Sequence, residues 1–113
     1  MIDLRKYREA VKKAVKVEAE IDKNWSWRVI KVNKNLIAIG WGYLDYLHED
    51  SAFEIIAMED EWAEGEVNLI GTMPNGSKKY CFCGEESWSD VKTVEDGIKY
   101  LIYLMASTAR SIY

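Results

Sequence analysis

The most telling gap in this chain is one of charge: from Asn35 to Ser77 there is no lysine and no arginine. Nine acids fill the same stretch: Asp45, Glu49, Asp50, Glu54, Glu59, Asp60, Glu61, Glu64 and Glu66. Other shortages narrow the classes further. There is one histidine, one proline, no glutamine and two cysteines. His48 is thus the sole imidazole, and neither Gly-x-Ser-x-Gly nor Gly-x-x-x-x-Gly-Lys-Ser/Thr accompanies it. Nucleophilic catalysis needs a Ser or Cys with a base in reach, and no sequence pattern supplies that pair. A non-enzyme is expected.

Cys81 and Cys83 stand one residue apart. A bridge between them would close only a tiny ring, so reduced thiols in a cytoplasmic protein are expected. Zinc asks for three or four convergent ligands. His48 with Glu49, Asp50 and a lone Cys-x-Cys falls short of a recognisable set, so no metal and no cofactor are expected. No run approaches the roughly 18 apolar residues that cross a bilayer. The first residues, Met1-Ile2-Asp3-Leu4-Arg5-Lys6, lack the apolar stretch of a secretory signal. No membrane partner is expected.

What is present divides by sign. Residues 1–34 carry ten bases and five acids, while five bases and five acids cancel from Lys78 onward. With 113 residues and 49% hydrophobic content, the chain suits a single domain over 1–113 with a packed core.

Apolar residues at steps of three and four, Leu4, Tyr7, Val11, Ala14, Val15 and Ile21, predict an amphipathic helix over 3–23. Asn24 stops it. Trp25–Val32 and Leu36–Tyr43 read as strands around the turn Asn33-Lys34-Asn35. In the second, Ile37, Ile39, Trp41 and Tyr43 share one face, and Ala38, Gly40 and Gly42 the other. That small face could admit a helix. Ala52–Met58 reads as a third strand, and 59–65 as a loop. Val67–Gly71 and Lys79–Cys83 form a hairpin around Pro74-Asn75-Gly76. Thr93 caps a last helix, with Asp96 in the capping position. Ile98, Leu101, Ile102, Met105, Ala109 and Ile112 make its core stripe, widened by Tyr100, Tyr103 and Leu104. The order α-β-β-β-β-β-α implies an α+β fold: an antiparallel meander of about five strands with helices on one face or on both.

The function expected is binding of another macromolecule. An acidic stretch with aromatic anchors suits a basic, nucleic-acid-handling protein, the acids steering association and the aromatics supplying burial. Glu49, Asp50, Glu54, Glu59, Asp60, Glu61 and Glu64 would make that contact, with Trp62 as anchor. Tyr46, Phe53 and Trp88 lie nearby. Small acidic inhibitors of viruses and mobile elements are the analogy. An alternative is single-stranded nucleic-acid binding, in which Lys12, Lys13, Lys16, Arg28 and Lys31 contact phosphates and Trp25 and Trp27 stack on bases. The acidic balance, with a pI near 5.0, weighs against it, and Trp25 and Trp27 share a strand face with Val29 that the core would claim. A third reading is a small chaperone-like homodimer. A homodimer also suits the broad apolar face of the last helix. In the plainest reading, the basic and acidic blocks satisfy each other.

Overall fold

A computed structural model describes residues 2–44, 46–59, 66–84 and 91–112, the side chains of 46–50 and 59 excepted. The chain runs through a 3-10 turn (Leu4–Tyr7), α1 (Arg8–Ile21), β1 (Trp25–Val32), β2 (Ile37–Tyr43), β3 (Tyr46–Glu59), β4 (Val67–Thr72), β5 (Lys78–Cys83) and α2 (Val94–Ile112). The strands form one antiparallel sheet in the order β1-β2-β3-β4-β5. The expected meander is therefore what forms.

Local chemistry sets the joints. Asn33 Oδ1 accepts from the backbone N–H groups of Asn35 (3.0 Å) and Leu36 (2.8 Å), which turns β1 into β2. Gly76 lies at φ 88°, the left-handed region that glycine enters freely, at the β4–β5 turn. The Asn75 side chain holds that turn by accepting from Ser77 N–H at 3.0 Å. Thr93 Oγ1 accepts from Asp96 N–H at 3.1 Å and caps α2.

Both helices lie on one face. They pack on each other, α1 also against β1 and α2 against β4 and β5. The core between them and the sheet includes Trp25, Trp27, Ile37, Ile39, Trp41, Phe53, Ile55, Leu69 and Cys83. From α2 it takes Ile98, Leu101, Ile102, Met105 and Ala109. Two glycines let α2 come close. A Cβ at Gly71 would lie 2.7 Å from Met105 Sδ, and one at Gly97 would collide with Cys83 Sγ. Packing at native density leaves no room for either methyl.

Several expectations need correction. Among the described residues, the small face of β2 does not receive a helix. Ala38, Gly40 and Gly42 point to the opposite side of the sheet, and Arg28 and Ile30 of β1 fold over Gly40 instead. The helix over 3–23 divides into a 3-10 turn and α1. β3 starts at Tyr46, not Ala52. Ile21 and Ile112 are exposed. The stripe position four residues after Ala14 is Glu18, a charged residue only 2% exposed. Its carboxylate accepts from Arg110 of α2 at 2.7 Å, and the Arg110 guanidinium lies over the Trp27 ring, 5.2 Å from its centroid. A buried carboxylate is tolerated on a core stripe when a partner cation accompanies it.

Candidate interaction site

The strand registers sort the side chains of β3, β4 and β5 into two sets. Phe53, Ile55 and Ala57 face the helices, along with Val67, Leu69, Gly71, Cys81 and Cys83. Because alternate residues point to opposite sides, Glu54, Ile56, Met58, Asn68, Ile70, Thr72, Lys78, Tyr80 and Phe82 face the other way. On that outer side the pairings align them in three rows. Glu54 stands opposite Thr72, and Thr72 opposite Lys78. Ile56 stands opposite Ile70, and Ile70 opposite Tyr80. Met58 stands opposite Asn68, and Asn68 opposite Phe82.

Among the described residues, no helix covers these rows. Ile56 is 38% exposed, Met58 54% and Tyr80 66%, while Ile70 and Phe82 are half-buried. Ile30 adds a further exposed aliphatic side chain on β1. The outer face of β3–β5 is thus an apolar surface with one polar row at its edge. Sequence reasoning passed over it, although a signal was there. β3 reads apolar at Phe53, Ile55 and Ala57 and again at Ile56 and Met58. A strand apolar on both sides suits a sheet covered on both sides.

The residues expected to bind a basic partner fare unevenly. Glu54 is exposed on the outer face, within the polar edge row Lys31–Ala38–Glu54–Thr72–Lys78. Glu49 and Asp50 belong to an irregular part of β3. Gly40 pairs with Ala52 and Gly42 with Leu47, so residues 48–51 fall opposite Trp41. Bulges of this kind bend a strand and re-aim its side chains. Glu59 ends β3, opposite Val67. The side chains of Glu49, Asp50, Glu59, His48 and Tyr46 lie outside the described residues, as do Asp60, Glu61, Trp62, Glu64 and Trp88. Phe53, by contrast, is fully buried and is no surface anchor.

The alternative nucleic-acid set is divided. Lys12, Lys13 and Lys16 are exposed on α1, on the helical side. Lys12 Nζ lies 3.6 Å from Glu9. Arg28 and Lys31 project from the opposite side of the sheet, as their pairing with Gly40 and Ala38 requires. Trp25 and Trp27 are buried and stacked on each other, with ring centroids 5.7 Å apart. Their faces are not open to bases. Among the described residues, no ion pair joins a base of 1–34 to an acid of 35–77. The pairs found there are Arg5–Asp3, Lys12–Glu9 and Arg110–Glu18.

Cys81 and Cys83 are free and buried on the inner face. The neighbouring Cys81 thiol and burial together push the Cys83 thiol above its ordinary range. A thiol held protonated and out of solvent is a packing group. Between the helices, Ala14, Val17, Ile21 and Tyr103 line a shallow apolar groove of about 250 Å³, with Glu18 and Lys99 at its borders. No helix among the described residues is long and apolar enough to cross a membrane. No protein-family model matches the chain, and neither a curated protein nor a solved structure does.

Proposed function

We propose that this chain is a non-catalytic binding protein, an inhibitor or adaptor, and that it contacts another protein through the outer face of β3–β5. One observation carries the reading: Ile56, Met58, Ile70, Tyr80 and Phe82 sit in adjacent cross-strand rows on a sheet face that neither helix covers. Contiguous apolar surface rimmed by polar groups marks interaction sites in soluble proteins. Aromatic and aliphatic side chains supply most of the affinity in such surfaces. Glu54, exposed on that face, and the excess of acids in the surrounding sequence suit a basic partner.

Paired captures from lysate of the native host test this reading after nuclease treatment. Wild type retains a partner protein. Tyr80→Asp loses it by removing the anchor, and Glu59, Asp60 and Glu61 changed to Lys weakens it while leaving the fold intact. Retention by the Tyr80→Asp protein would contradict the assignment of the face. Loss only when Lys12, Lys13 and Lys16 become Glu, with nucleic acid co-purifying, would move function to α1.

A further inference from the structure

The outer face is complementary to itself, and we infer that its occupant is a second copy of this chain. The inference rests on the reading of that face as a contact surface and goes beyond it: a second copy would compete with the basic partner for the face. Consider a two-fold axis parallel to β4 and midway between two copies whose outer faces meet. β4 then lies over β4 of the partner, and β3 over β5. Residues in the same row face each other, because the rotation preserves position along the strand and exchanges the two flanking strands.

The registers give the outcome row by row. Glu54 and Lys78 flank Thr72 in one row, so each Glu54 meets the other copy's Lys78. That makes two opposite-charge contacts related by the axis. Ile56 and Tyr80 flank Ile70, so aliphatic side chains meet tyrosines, with Ile70 against its own counterpart. Met58 and Phe82 flank Asn68, so thioethers meet phenyl rings, a favourable pairing, and the two Asn68 amides face each other. No like charges meet anywhere in these rows. A two-fold interface must be self-complementary in this sense. Stacked sheets sit about 10 Å apart and splay by roughly 30°, which displaces residues one strand from the axis by only about 2–3 Å.

Three strands by three levels is a footprint of roughly 14 Å by 20 Å. That is about 280 Å² per copy, below the roughly 800 Å² per partner of standard specific interfaces, so a weak dimer that forms only at high protein concentration follows.

The test is a charge exchange read by sedimentation velocity across a concentration series. Glu54→Lys alone sets the introduced ammonium against Lys78 of the other copy. Lys78→Glu alone sets two carboxylates together. Each variant is expected to self-associate roughly tenfold more weakly than wild type. Mixed in equal amounts they restore association, because every facing pair is again of opposite sign. Ile70→Asp, which places two carboxylates on the axis, abolishes the dimer while near-ultraviolet circular dichroism stays native. A wild type that stays monomeric at high concentration overturns the second copy. If Tyr80→Asp still loses a captured protein, the face remains a contact surface for that protein. A dimer unchanged by all three variants overturns the interface geometry, and a mixture no tighter than its components overturns the facing of Glu54 and Lys78.

Discussion

Glu18 and Arg110 show how a single buried charge sets a local rule. The Glu18 carboxylate is nearly inaccessible, and Arg110 is its one hydrogen-bonded partner among the described residues. Arg110→Ala would leave the carboxylate buried without a cation, a change that costs about 3–5 kcal/mol. Urea unfolding would show it as a lowered midpoint with the slope preserved. Leu44 shows the reverse situation. It sits at φ 54° in the β2–β3 turn with its side chain exposed, a conformation leucine resists and asparagine accepts. Leu44→Asn is expected to stabilise by about 0.5–1 kcal/mol; a loss would mean that the leucine makes a contact of its own. The cysteines allow a third check. Cys81 and Cys83 should resist alkylation in the native state and react together once urea unfolds the protein, since attack needs an accessible thiolate. At this scale sequence reading failed where a residue broke its class. Glu18 occupies a core position in the helical period but is charged, so its burial depends on an arginine 92 positions away, a distance no local pattern spans.

Elements were far more legible than individual contacts. β1 lies where aromatic and β-branched residues cluster, and its turn forms where Asn33 can bond its own backbone. The Thr93 cap and the Pro74-Asn75-Gly76 turn act through local hydrogen bonds, which is why short motifs announce them. β3 is longer than its apolar alternation, because residues 46–51 pair with β2 through an irregular register that alternation cannot reveal. The seat of α2 was equally hidden. Glycine was expected to admit a helix at β2, yet the close approaches are at Gly71 and Gly97. Gly97→Ala would ordinarily favour a helix, by about 1 kcal/mol. Here the methyl meets Cys83 Sγ, so the substitution is expected to destabilise by about 1–3 kcal/mol. Adding Cys83→Ala should return most of that loss, and strict additivity of the two changes would show that the residues do not share the space.

For the whole molecule, the decisive feature is asymmetry: two helices on one side of the sheet and an apolar surface on the other. The α+β order and the meander were readable because every connection is short and each strand finds its neighbour in sequence. The side on which the helices pack was not readable, since a strand apolar on both faces fits either choice. The acidic expectation is only partly placed, with Glu54 on the outer face and most of its companions beyond the described residues. Hydroxyl-radical footprinting over a dilution series of the pure protein, and of the protein with a captured partner, reads which side of the sheet makes contact. Met58 and Tyr80 report the outer face, Tyr100 and Tyr103 the helical side, and the buried Met73 serves as the control. With the outer face as the contact surface, Met58 and Tyr80 become protected on association while Tyr100 and Tyr103 keep their reactivity. Protection confined to Tyr100 and Tyr103, with Met58 and Tyr80 fully reactive throughout, would contradict it.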